Sequence, residues 1–252
     1  MIESIVQIKN IFKTFRVGTQ DVPVLKDISF NVKKGDFLVI YGPSGCGKST
    51  LLHTILGLEA PTKGTIIFLG KDLYKDSYGE DRIEDDRTDF RKNHIGMVYQ
   101  QANWIKSLTV LENIIFPLSL LGMDKLKREE MAKNALKTME MLAWANYSPS
   151  ELSSGQQQKV ALARALVTNP EVIIADEPTG NLDFESGQEL MSLLTDLSNN
   201  EGKTIIMVTH DLEYLKYAKS TVRMLNGQVV ELNTSQETIK KIKCKKVDQN
   251  EK

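Results

Sequence analysis

Five short runs of apolar and β-branched residues recur along the chain, at Phe37–Tyr41, Thr65–Leu69, Gly96–Tyr99, Val172–Ala175 and Thr204–Val208. Several are nearly continuous in hydrophobicity instead of alternating. A strand with one wet face alternates, whereas a strand covered on both faces does not, so these runs predict strands of a mostly parallel, buried sheet. Helical patterns lie between them, at Ser49–Leu58, Gln156–Val167 and Ser186–Leu197. Strands that alternate with helices indicate an α/β fold. Near the end, Thr221–Leu225, the pair Asn226-Gly227 and Gln228–Leu232 read as a hairpin with a tight turn.

The middle differs. From Leu108 to Ser150 the pattern is helical with little strand character, and Thr109 and Glu112 have the spacing of a capping box. This predicts an α-helical subdomain at about 101–155, inserted in a core made of 1–100 and 156–235, the whole being one domain. The segment Lys71–Lys92 is crowded with charges of both signs and reads as a solvated loop. Residues 236–252 form a lysine-rich tail, without a core pattern from Ile239 on. It reads as solvated, with attraction to anionic lipid headgroups as the sharper alternative.

Composition changes this picture little. The 252 residues carry 32 Lys and Arg against 33 Asp and Glu, so no whole-protein field points to a nucleic-acid partner. The N-terminus lacks the basic and apolar pattern of a signal peptide. No stretch approaches the roughly 20 apolar residues that cross a bilayer. Ile114–Met123, the longest candidate, contains Pro117. Any work at a membrane is therefore expected of a peripheral subunit. Cys46 lies in a glycine-rich turn and Cys244 among lysines, settings that argue against a disulfide and for a reducing compartment.

The chemistry begins after the Phe37–Tyr41 run. Gly42-Pro43-Ser44-Gly45-Cys46-Gly47-Lys48-Ser49, followed by Thr50, satisfies G-x-x-x-x-G-K-[ST]. Glycines let backbone N–H groups turn inward onto phosphate oxygens, and the helix that follows presents its positive N-terminus. Lys48 then reaches the β- and γ-phosphates and the Ser49 hydroxyl coordinates Mg²⁺. Cys46 reads as a small residue that fits the loop. A second run, Val172–Ala175, ends in Asp176-Glu177-Pro178. Asp176 at a strand tip can hold Mg²⁺ through its water shell, and Glu177 can orient an attacking water.

With these two motifs goes a third segment, Leu152-Ser153-Ser154-Gly155-Gln156-Gln157-Gln158-Lys159 with Val160–Leu166 after it. It resembles the signature motif L-S-G-G-Q of the ATP-binding subunits of ABC transporters, and the resemblance runs from about Ile5 to Leu232. It implies a P-loop NTPase (RecA-like) core with an N-terminal antiparallel β portion and an inserted α-helical subdomain. It implies ATP and Mg²⁺ as ligands, and a head-to-tail dimer with itself or a homologous ATPase subunit. In that dimer Ser153, Gly155 and Gln156 of one copy close over the ATP of the other. Integral membrane subunits are the implied partners, with this chain peripheral on the cytoplasmic face.

The other family positions match residue by residue. Phe15 stands where an aromatic ring stacks on adenine. Gln100 resembles the glutamine that senses Mg²⁺ and the attacking water, with Gln101 as its neighbour. Asn181-Leu182-Asp183 resembles the loop that crosses the dimer interface, organised by Asp183. His210 resembles the switch histidine on the γ-phosphate. The resemblance makes Glu177, His210 and Lys48 catalytic, and Ser49, Gln100 and Asp176 metal-binding. The chain departs at Ser154, where the first glycine is usual, and at Lys159, where arginine is commoner.

Within the family, Gly42–Gly45, Ile95–Asn113, Gln156–Gln158 and Thr179–Asp183 are most similar to the macrolide-export and lipoprotein-release group. The competing readings are a regulatory ATPase of the cell-division type, and a soluble ABC protein of iron–sulfur assembly, DNA repair or translation.

Overall fold

The computed structural model describes residues 4–76, 78–234 and 236–238. In chain order these form β1 (Ser4–Val17), β2 (Gln20–Lys33), β3 (Phe37–Tyr41), α1 (Lys48–Ile55), β4 (Lys63–Phe68), β5 (Lys71–Asp72) and α2 (Glu84–His94). Then follow β6 (Ile95–Tyr99), α3 (Val110–Leu120), α4 (Lys125–Thr138), α5 (Ser154–Leu166), β7 (Val172–Asp176) and α6 (Phe184–Asn200). The last are β8 (Thr204–Thr209), β9 (Ser220–Leu225) and β10 (Gln228–Thr234). Two compact units divide the chain: the described parts of Met1–Arg87 and Thr195–Lys252, and Thr88–Leu194.

The first unit holds an antiparallel sheet in the order β2-β1-β4-β5. It also holds β3 with β8 and β9 parallel on either side and β10 antiparallel beyond β9. Every residue of β3 and of β8 is buried. A fully buried large apolar side chain stabilises by roughly 1.5–3 kcal/mol, so neither strand can slip by a residue without losing several such terms. That fixes where the loop after β3 begins. The β1–β2 ribbon is interrupted by register shifts around Ile11 and Lys13, which bend it.

In the second unit β6 and β7 run parallel, in register from Ile95 opposite Val172 to Tyr99 opposite Asp176. Between Val110 and Glu151 all regular structure is helical. Thr109 and Glu112 form the expected capping box at the start of α3. Buried Asn113 then pins the preceding loop, accepting from Ile105 N and donating to the carbonyls of Ile105, Leu108 and Thr109.

One stretch differs from expectation. Lys71–Lys92 is not a solvated loop throughout, since it holds β5, most of α2 and two buried side chains, Leu73 and Tyr74. The Tyr74 hydroxyl lies 2.6 Å from Thr54 O and 2.8 Å from Glu59 O. Helix α2 buries no residue and is carried by its charge order instead, with Glu84, Asp85 and Asp86 in the first turn and Arg91, Lys92 and His94 in the last. At the other end, Gln236–Thr238 is helical, and the buried Thr238 hydroxyl lies 2.7 Å from that of Thr221. Ile239–Lys252, with Cys244, lies outside the described residues.

Candidate active site

In the first unit the loop Gly42–Gly47 leaves β3 and opens α1. Three glycines are required here for different reasons. A Cβ on Gly42 would stand 2.3 Å from the Met224 carbonyl oxygen of β9. Gly47, the N-cap of α1, has φ 100°, and its Cβ would press on Val24 and Leu25 of β2. Gly45, with φ 75°, faces open space. No side chain caps α1, so the N–H groups of its first turn are available to a ligand in the way that suits an anion.

Lys48 is buried, and its ammonium donates to the carbonyls of Gly42 (2.9 Å) and Pro43 (3.1 Å). The side chain folds back over its own loop, where an incoming phosphate can take it from two neutral acceptors. Pro43, Ser44, Gly45 and Ser49 are exposed, Thr50 is half-buried and Cys46 is buried. Strand register places Tyr41 beside Thr209, so Gly42 and exposed His210 leave neighbouring strand ends. Phe15 is half-buried on β1 opposite Val22, with the Lys13 ammonium 4.8 Å from its ring centroid.

The second unit carries the carboxylates. Asp176 ends β7, and Glu177 follows with φ 45°. A non-glycine residue in the left-handed region, here also one that precedes proline, costs of order 1–3 kcal/mol and recurs at functional sites. Gln100, which follows β6, donates from Nε2 to Asn181 Oδ1 (3.3 Å), and Asn181 Nδ2 donates back to Gln100 O (3.3 Å). A Cβ on Gly180 would lie 2.6 Å from Gln100 Nε2, so this glycine leaves room for the glutamine.

Ser153 caps α5. Its hydroxyl accepts from Gln156 N (3.3 Å), and Gln156 Oε1 accepts from Ser153 N (2.9 Å). Ser154, in place of the usual glycine, is the first helical residue, and its side chain leaves that cap intact. Asp183 accepts from both the backbone N–H and the hydroxyl of Ser186, bonds that hold its carboxyl below the usual aspartate value. A Cβ on Gly155 would come within 2.7 Å of Ser186 Oγ. The structure thus brings together Gly155, Ser186 and Asp183 in one cluster, and Gln100 with Asn181 in another.

In the first unit the cradle offers N–H groups and an ammonium that suit phosphate oxygens, and the Ser49 hydroxyl is a hard oxygen donor. In the second unit the Gln100 amide oxygen and the Asp176 carboxylate are donors of the kind that Mg²⁺ prefers. Among the described residues no three of His, Cys, Asp and Glu gather as a metal cage.

Sequence reasoning missed two supports. The Asn226–Gly227 turn braces the loop: Gly227 N donates to Cys46 O (3.1 Å), Lys26 N donates to Gly227 O (2.8 Å), and a Cβ on Gly227 would stand 2.2 Å from Val24 O. The second is Gln158, buried on α5 in line with Leu162 and Ala165. A polar residue on an apolar stripe was the signal, since a buried amide must find partners.

Comparison with known proteins identifies the family. The sequence profile of the family described as ABC transporter matches residues 25–180. MJ1508 of Methanocaldococcus jannaschii, described as an uncharacterized ABC transporter ATP-binding protein, is 43% identical over 227 residues, covering 90% of this chain and 98% of its own. The macrolide export ATP-binding/permease protein MacB of Chlorobaculum tepidum is 38% identical over 229 residues, 90% of this chain and 34% of its own. Among solved structures, the ATP-binding cassette MJ0796, from the same Methanocaldococcus, matches as a dimer in a post-hydrolysis state bound to ADP and Pi. The TM-score is 0.82 at 38% identity, over 91% of this chain and 98% of that one.

Proposed function

Because this chain belongs to the ABC transporter family, we propose that it is the ATP-binding and ATP-hydrolysing subunit of a transporter, working as a head-to-tail pair. The observation that carries this reading is its likeness, over nearly the whole chain, to a cassette captured as a dimer with ADP and Pi. Phe15 stacks on adenine. Gly42–Thr50 wraps the phosphates, and Lys48 exchanges the carbonyls of Gly42 and Pro43 for phosphate oxygens. Ser49, Gln100 and Asp176 hold Mg²⁺, which when bound neutralises charge on the phosphate oxygens.

Glu177 accepts a hydrogen bond from a water and orients it in line with the γ-phosphate, while His210 and Lys48 donate to that phosphate as charge spreads over it. Ser153 and Gly155 come from the second copy. The Ser153 oxygen already accepts from Gln156 N, which leaves its hydrogen to donate to phosphate. Asp183, by ordering Ser186 against Gly155, shapes the surface that crosses to the partner. Hydrolysis removes the bridging group and the pair opens.

The helical stretch at about 101–155 passes that motion to an integral membrane subunit. Its membership of the ABC transporter family supports assigning the pathway to that partner and this chain to the cytoplasmic face. Among the described residues no helix is long and apolar enough to cross a membrane. A groove of about 470 Å³ lined by Ile105, Phe116, Pro117 and Leu120 is the proposed seat for it. The similarity to MacB favours the macrolide-export and lipoprotein-release group. Recovery of the chain in mild detergent tests this: an integral membrane protein should accompany it, and vesicles holding both should move substrate with MgATP. Hydrolysis with a partner but no transport would mark a regulatory ATPase. Fractionation without a membrane partner would mark a soluble one.

A further inference from the structure

Gln158 bridges two segments just beyond the last paired residues of β6 and β7, Tyr99 opposite Asp176. Its Nε2 donates to Tyr99 O (2.8 Å) and to Pro178 O (2.7 Å), using both amide hydrogens, and the side chain is 3% exposed. Tyr99 immediately precedes Gln100, and Pro178 immediately follows Glu177. One amide therefore ties the residue before the glutamine to the residue after the carboxylate, at the point where the β6–β7 ladder has ended. Neighbouring residues of α5 grip the same loop. Gln157 Oε1 accepts from Trp104 Nε1 (2.9 Å), and Arg164 donates to the carbonyls of Ala102 and Asn103 with its guanidinium 4.6 Å from the Trp104 centroid. Burial lowers the Arg164 pKa.

Ser153 and Gly155 open the same helix. We propose that Gln158 is a positioning residue for hydrolysis: it sets the spacing of Gln100 and Glu177 and makes α5 the strut through which the signature turn acts on the carboxylate of its own chain. The inference rests on the roles given above to Gln100, Glu177 and the signature turn. It does not touch nucleotide, so it should govern turnover and not binding.

The test is steady-state and single-turnover hydrolysis of MgATP by purified wild type, Gln158→Leu and Gln158→Glu, with nucleotide affinity and melting temperature measured alongside. Leucine leaves two carbonyls without their donor. Glutamate keeps the volume but turns a carboxylate on them, and only its protonated form can donate one bond. Misplacement of a reacting group by about 1 Å can cost 10²-fold, so kcat should fall roughly 10- to 100-fold in both variants with KM within about twofold. The Glu variant should regain activity relative to wild type as pH falls. A kcat within about twofold of wild type in either folded variant, or a rise in KM alone, overturns the assignment. If leucine prevents folding, the pH profile of the Glu variant decides, and a flat ratio to wild type counts against it. Wild type that does not hydrolyse MgATP would instead defeat the ATPase reading.

Discussion

The phosphate cradle and the carboxylate segment are held by opposite means. In the first unit the loop is shaped by what glycine permits: backbone presses against backbone at Met224, Val24 and Cys46, and Lys48 folds back on the carbonyls of its own loop. In the second unit side chains do the holding. Gln158, Gln157, Arg164 and Asn181 each reach across to another segment, Asp183 holds Ser186 within its own, and Glu177 sits in a backbone conformation it would not choose alone. A cradle shaped by main-chain packing has few side-chain rotamers to rearrange when a ligand arrives. A carboxylate held by amide bridges can be moved by shifting the helix that carries them, which suits a group that must act only when the second copy has closed.

This contrast can be broken at either end. The largest effect is expected at Glu177. Glu177→Gln should keep ATP affinity within a few-fold while turnover falls by roughly 10²–10⁴-fold, as loss of a general base does. Phosphate release and nucleotide titration measure the two, and turnover at the wild-type rate would remove Glu177 from the reaction. Alkylation of Cys46 comes next. In a Cys244→Ser background a thiol reagent should abolish most ATPase activity, slowly because the thiol is buried. Saturating MgATP should protect it. Labelling at an unchanged rate with MgATP present would show that nucleotide does not cover this loop.

Gly227→Ala probes the main-chain side far from the motif in sequence. Its Cβ has no room beside Val24 O, and overpacking of this kind costs about 1–3 kcal/mol. The melting temperature should fall and ATP affinity with it, and an affinity equal to wild type would mean the β9–β10 turn does not brace the loop. The smallest effect concerns Thr109 at the start of α3, where a cap contributes about 1 kcal/mol. Bonds from the Thr109 N–H and hydroxyl hold the Glu112 carboxyl below its ordinary value. A lowered folded pKa gives stability that is full above the ordinary glutamate value and lost as pH falls through the folded one. Thr109→Ala should therefore lower the melting temperature at neutral pH and flatten its acid dependence. An unchanged acid profile would contradict the box.

What could be read from sequence follows the same divide. Gly42–Ser49 is contiguous and its chemistry is local, so the cradle was legible at once. The unbroken apolar runs at Phe37–Tyr41 and Thr204–Val208 likewise announced buried parallel strands. Helix α2 escaped because its order lies in charge placement along the axis, with no apolar stripe to follow. The 14-residue strands β1 and β2 carry bulges at Asn10–Lys13 that interrupt a period of two. Gln158 escaped for a different reason: its partners are backbone carbonyls 59 and 20 residues away, and nothing in a carbonyl's own sequence marks it as an acceptor.

The pairing of two copies across ATP is tested most directly by sedimentation of the Glu177→Gln variant, with and without MgATP. The mass should double when MgATP is added and return to one copy when nucleotide is removed, and a Ser153→Arg change in the same chain should prevent the doubling. A single-copy mass with nucleotide demonstrably bound, at any protein concentration reached, would contradict the account.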